Sequence, residues 1–95
     1  MKGEFARSLS GHDKGRVYVI IEEHEEYLML SDGRRRPLEK LKRKNVKHVE
    51  TVKKHLYNED LIKKLENGET LKNEEIKRAV RLYLGAIGVK SDVEG

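Results

Sequence analysis

The chain has no cysteine and no tryptophan, one proline and one phenylalanine. Without cysteine there is no disulfide, no thiol nucleophile and no cysteine-ligated zinc, and nothing marks an oxidising compartment. Aromatic residues are only 5% of the sequence. Long apolar runs are also missing. The longest, Val17 to Ile21, falls far short of the ~18 residues a membrane span needs. Met1-Lys2-Gly3-Glu4 opens without the apolar segment of a secretory signal. A soluble, cytoplasmic protein held together by packing alone is expected, with no membrane partner.

Charge, by contrast, is abundant. Lys and Arg number 21 against 17 Asp and Glu, a formal charge of +4, and charged residues are 40% of the 95, well above the ~25% usual for soluble domains. A chain this short buries only ~60% of its unfolded surface, so a large multidomain enzyme is excluded and one small core, or two very small ones, is expected. Residues 1–57 carry 14 basic and 9 acidic side chains and residues 58–95 carry 7 and 8, a split of +5 and −1. The cations concentrate between Arg34 and Lys54: Arg34, Arg35, Arg36, Lys40, Lys42, Arg43, Lys44, Lys47, Lys53 and Lys54 face only Glu39 and Glu50 in that stretch.

The first half has a strand-and-turn rhythm. Val17 to Ile21 is β-branched and aromatic and reads as a central strand, and Tyr27 to Leu30 reads as a second. Asp32-Gly33 suits a type I′ hairpin turn, which predicts a further strand from Arg34. Pro37 falls inside that strand, so it should be an edge or bend there. Phe5 to Leu9 and Val46 to Val49 supply the first and last strands. The fold class expected is mostly β with C-terminal helices. Residues 1–56 are expected to form a small antiparallel β-barrel, because a sheet this small hides its edges only by closing or being covered.

Residues 57–95 change period. Asn58 is placed to cap a short helix containing Leu61, Ile62 and Leu65 and ending at Asn67-Gly68. Asn73 is a second cap candidate, followed by Glu74 and Glu75 and by Ile76, Ala79, Val80, Tyr83, Leu84 and Ile87 on one helical face. Gly85 and Gly88 both suit its end, and the tail from Val89 should fray. The extension is expected to pack on the barrel, with Lys77, Arg78 and Arg81 on its outer face.

No catalytic constellation emerges. His12, His24, His48 and His55 lack the spacing of a helical zinc pair, and Ser8, Ser10, Ser31 and Ser91 sit in no nucleophile or phosphate-loop context. Glu22, Glu23, Glu25 and Glu26 around His24 read as a solvated hairpin tip. The expectation is a protein that is not an enzyme and uses no metal or cofactor.

Polyanion binding fits better. If Arg34 to Arg36 lie on a strand, Arg34 and Arg36 share one face with Arg35 on the other. Leu38 and Leu41 then tack the backbone down while Lys40, Lys42, Arg43 and Lys44 point outward. Such density releases counterions from phosphates and gives salt-sensitive affinity, although a merely solvated surface is the plainer alternative. The loop Gly11-His12-Asp13-Lys14-Gly15-Arg16 offers a second patch, in which Asp13 can bond its own turn and Lys14 and Arg16 project cations. With one Phe and no Trp there is no obvious stacking platform for single strands; Tyr18 and Tyr27 lie in apolar runs and are expected in the core, the alternative being that they are exposed and stack on bases.

The stretch from Gly11-His12-Asp13-Lys14-Gly15-Arg16-Val17 through Ser31-Asp32-Gly33-Arg34-Arg35-Arg36 to Lys42-Arg43-Lys44-Asn45-Val46-Lys47-His48 resembles the small bacterial KOW-domain RNA-binding proteins grouped with the ribosomal protein fourteen-e type. The resemblance covers about residues 5 to 50. It implies an SH3-like β-barrel, non-enzymatic binding to structured RNA and association with ribosomes or translation. Lys14 and Arg16 match the cationic KOW loop and Gly15 its turn glycine. Arg36, Lys42, Arg43, Lys44, Lys47 and His48 match the basic segment after the hairpin. Leu41 stands where the family has proline. The expected RNA-contacting set is these residues with Arg34, Arg35 and Lys40, and rRNA is the expected partner. The competing expectation is an adapter whose barrel or helices dock a protein such as a ribosomal protein or a polymerase.

Overall fold

Four consecutive residues, Val17 to Ile20, are buried together, which an extended strand achieves only when both its faces are covered. The computed structural model, which describes residues 1–53 and 56–88, shows what covers them. Strands β1 (Phe5–Ser8), β2 (Val17–Glu23), β3 (Tyr27–Ser31), β4 (Lys42–Asn45) and β5 (Val49–Val52) form one antiparallel sheet in the order β4-β3-β2-β1-β5. Helices α1 (Glu59–Glu66) and α2 (Asn73–Ala86) follow. Among the described residues no helix is long and apolar enough to cross a membrane.

Strand alternation sorts the core into two layers. Phe5, Val17 and Val19 pack with Leu61, Leu71, Ile76, Ala79 and Val80 beneath the helices, and the Phe5 and Tyr83 rings stack at 4.6 Å. On the other face Ala6, Tyr18, Ile20, Leu28 and Leu30 cluster, with Val49 against them. Full burial of a Val, Ile or Phe side chain contributes roughly 1.5–3 kcal/mol. Phe5, Val19 and Ile76, all at 0% exposure, therefore dominate the docking of α2 on the sheet. Ile21 is the extra residue of a bulge that shifts the β2–β3 register between Ile20 and Glu22, and it turns the end of the hairpin toward solvent.

Several expectations need correction. The sheet is open: β4 and β5 end the pairing order and do not pair with each other, so no closed barrel forms. The helices supply on one face the cover that closure would have supplied. The strand expected from Arg34 does not form there, and Asp32-Gly33 is not a type I′ turn, because Gly33 takes φ +75° while no non-glycine residue has positive φ. Asp32 instead folds the chain onto itself. Its Oδ1 accepts from the Arg34 and Arg36 backbone N–H groups, both at 2.9 Å, and Ser31 Oγ donates to the Arg36 carbonyl at 2.7 Å. Pro37 then starts a 3-10 turn over Leu38–Lys40, outside any strand, and β4 begins only at Lys42. Val46–His48 is likewise a 3-10 turn, and β5 runs on from Val49.

At the helices the two asparagines serve tertiary contacts. Asn58 is fully buried and its Nδ2 donates to the Gly3 carbonyl at 2.6 Å, so its side chain ties α1 to the N-terminus and caps nothing. Asn73 is the first residue of α2, whose cap is Lys72, with Glu75 accepting from the Lys72 N–H at 2.9 Å. Asn73 Oδ1 accepts from the Leu38 N–H at 2.8 Å and so fastens the β3–β4 connection to the helix. Gly88, at φ +84°, takes the left-handed position after α2 that Gly85 leaves unused. The tail from Val89 lies outside the described residues.

Replacing Val19 by Asp places a charge at a fully buried site with no partner. The variant should be unfolded at 25 °C, and a cooperative native-like melt followed by far-UV circular dichroism would contradict this placement of the core.

Candidate nucleic-acid interface

The β1–β2 loop, residues 9–16, is built around Asp13. Gly11 and Gly15, at φ +85° and +90°, turn the backbone so that Asp13 points inward, where it is only 9% exposed. Its Oδ1 accepts from Ser8 Oγ at 2.8 Å and Lys44 Nζ at 2.9 Å, and its Oδ2 accepts from the Tyr18 hydroxyl at 2.8 Å. Burial by itself would raise the Asp13 pKa, but the bonds from Lys44, Tyr18 and Ser8 outweigh it and hold the carboxyl well below the usual range. Tyr18 is held well above the usual phenol range by its burial and then by its bond to the Asp13 carboxylate.

Strand alternation explains why Lys44 is the partner. In β4, Lys42 pairs with Leu30 and Lys44 with Leu28, which places both lysines on the face of the second apolar cluster. Their stems lie along that cluster and their ammonium groups turn toward Asp13, in the way long cationic side chains keep their heads polar. Lys44 Nζ also donates to the Ser10 carbonyl at 2.9 Å, and Lys42 Nζ is 4.0 Å from Asp13 Oδ2.

The twelve residues singled out from the sequence separate into three groups. Lys14, Gly15, Arg16, Arg34, Arg35 and Arg36 lie in the β1–β2 and β3–β4 connections. These loops share one end of the sheet, since Val19 pairs with Ser31 and Val17 begins β2. Lys14, Arg16, Arg34 and Arg35 are exposed there, and Arg36 is half-buried. Exposed Lys40 follows on its 3-10 turn, while Lys47 and His48 are exposed on theirs. The Leu9 N–H bonds the His48 carbonyl at 2.8 Å and brings that turn beside the β1–β2 loop. Lys44 belongs to a second group. It is consumed by Asp13, with Lys42 close behind, and the expectation that only Glu39 and Glu50 stand near these cations overlooked the fold bringing Asp13 across. Arg43 is the third group: it pairs with Met29, on the opposite face from Lys42 and Lys44.

Among the described residues no carboxylate forms an ion pair with Lys14, Arg16, Arg34, Arg35, Arg36, Lys40, Arg43 or Lys47. The surface is held rigid from behind. A Cβ on Gly33 would lie 2.5 Å from the Asn73 carbonyl oxygen and 2.9 Å from the Lys77 nitrogen, so the arginine loop abuts the first turns of α2. Lys54 and His55 lie outside the described residues. Searched against protein-family models and curated proteins, the chain matches none.

Sequence reasoning missed Ser8, Tyr18 and the inward role of Asp13. Two glycines flanking an Asp signalled a structured loop, but nothing local signalled a lysine from β4. Because folding lowers the Asp13 pKa, its stabilisation is fully present above the unfolded value of about 3.9 and fades as pH falls toward the folded value. Asp13→Asn should cost about 2–3 kcal/mol at pH 7 by leaving Lys44 half-buried without its counter-charge. The gap between wild-type and variant melting temperatures should narrow only below about pH 4; a gap constant down to pH 2.5 would refute the assignment.

Proposed function

We propose that this protein is a non-enzymatic RNA-binding protein of KOW type that grips the phosphate backbone of structured RNA. The observation that carries the reading is the end of the sheet where two loops carry Lys14, Arg16, Arg34 and Arg35, exposed and without acidic partners among the described residues. The Asp13 network fixes one loop and the Asn73 contacts fix the other. The cations are therefore positioned before binding, which lowers the ordering cost of engaging a ligand.

Lys and Arg contacts to phosphates fix position without reading sequence, so recognition of a folded shape is the mode such a surface supports. The Gly11 to Val17 motif and the strand β5 returning to pair with β1 support an SH3-like reading of the sheet. The resemblance to the KOW-domain proteins makes rRNA the partner to test first, in a ribosome- or translation-associated role in the cytoplasm. Four cations engaging four phosphates would give log K falling with log salt at a slope of about −3 to −4. Binding to a protein partner through an apolar surface would be far less sensitive to salt.

Arg34, Arg35 and Arg36 changed together to Ala should leave the melting temperature within a few degrees and weaken binding to a structured rRNA fragment at least tenfold at about 150 mM salt, with a shallower slope. Lys14→Ala with Arg16→Ala should weaken it less. Unchanged affinity in both variants, or salt-insensitive binding with a co-purifying protein, would exclude this surface and favour the adapter.

A further inference from the structure

The face of β3 and β4 opposite the lysines carries a different chemistry. The pairs Tyr27–Asn45 and Met29–Arg43 set these four residues on one side of the sheet. The Arg43 guanidinium carbon lies 3.9 Å from the Tyr27 ring centroid. The His24 ring is 4.4 Å from that centroid at an interplanar angle of 16°. Two planar groups that close to one centroid must occupy opposite faces, so Tyr27 is the middle deck of three. His24 Nε2 lies 3.0 Å from Glu22 Oε1, which steadies the far deck. Tyr27 therefore offers no free face of its own. Arg43 is exposed although one of its sides lies on Tyr27, so its accessible surface is its outer plane and edges, and no carboxylate among the described residues claims it.

Asn45, paired with Tyr27 and two residues along β4 from Arg43 on the same face, lines a cleft of about 230 Å³ together with Glu25, Glu26, Val46 and Lys47, below the ~300 Å³ at which drug-sized pockets begin. Its walls are tied by the Val46 N–H to the Glu26 carbonyl at 3.1 Å. Asn45 Oδ1 accepts from the Lys47 N–H at 2.8 Å, which leaves its Nδ2 hydrogens free. Glu25 and Glu26 provide acceptors, Val46 an apolar floor at 39% exposure and Lys47 a donor. With Glu22 nearby, the carboxylates repel a phosphate, so this face does not continue the backbone-gripping end. Guanidinium planes stack on unpaired bases, and carboxylates accept from base N–H groups.

Resting on the RNA-binding reading, we propose that this face holds one unpaired nucleobase, stacked on the outer plane of Arg43, with the N–H donors of its pairing edge turned into the Glu25–Glu26–Asn45 cleft. The ligand is then structured RNA with an extruded or loop base, gripped by phosphate at the loop end and stacked by base on this face.

The test compares an RNA hairpin carrying one 2-aminopurine in its loop with a blunt duplex of the same stem, at about 150 mM salt. The full chain should prefer the hairpin by about five- to tenfold, the lower end of what one stacked base contributes, and quench the 2-aminopurine fluorescence. Arg43→Lys, which keeps the charge and loses the plane, should bring that ratio to about one and abolish the quench. Glu25→Gln with Glu26→Gln should lower it partway, and melting curves check that each variant folds. Equal wild-type affinity for both RNAs with steep salt dependence, or an unaltered ratio and quench in Arg43→Lys, would overturn the base site and leave the RNA reading standing. Absence of salt-sensitive binding to either RNA would overturn both.

Discussion

A carboxylate at 9% exposure needs hydrogen bonds and a counter-charge where it stands, and Asp13 takes donors from three elements at once, one of them a cation. Ser8 comes from the end of β1, Tyr18 from β2 and Lys44 from β4. None of these strands can slide without breaking a bond to the same group. In an interior with so few large side chains, this charged node sets register as much as the apolar contacts do. Replacing an ion pair of this kind by apolar residues is often neutral for stability, so its value here is positional. It fixes the loop that carries Lys14 and Arg16.

The sheet works because its two faces are covered by different means. One is roofed by α2, with Ile76 and Val80 over Phe5 and Val19. The other curls around Ile20, Leu28 and Leu30 and is finished by the stems of Lys42 and Lys44. Lysine at such positions extends an apolar core too small to close by itself and delivers its charge to the rim. The β3–β4 connection joins the two arrangements. Asp32 bonds the arginine loop to itself, and Gly33 lets it approach α2 more closely than any side chain would allow. The exposed loop cations and the stacked Tyr27 thus end on different surfaces of one small sheet.

The fold was legible where a local pattern has one physical outcome. The strand at Val17 to Ile21, buried through Ile20, the apolar stripe from Ile76 as far as Leu84 and the stop at Asn67-Gly68 appear as read, while Ile87, expected on the same stripe, lies past the helix end at 50% exposure. It was misread where a local signal competed with a distant partner. Asp32-Gly33 carries the composition of a tight hairpin, but Asp32 found backbone donors at Arg34 and Arg36. Asn58 holds the N-cap position of α1 and Asn73 opens α2, but the side chain of the first donates to the Gly3 carbonyl and that of the second accepts from the Leu38 N–H, so neither side chain caps its helix.

Composition and periodicity alone determined that a β-rich first half with a basic middle would be followed by two helices, because alternation and helical spacing are properties of neighbours in sequence. They also determined which loops would be cationic. Which cations stay free was decided only by tertiary structure. Lys42, Arg43 and Lys44 are consecutive and chemically alike. The β3–β4 pairing sends the first and third to Asp13 and the second to the Tyr27 ring. Strand alternation separates them by face, and what each then meets depends on residues far away in the chain.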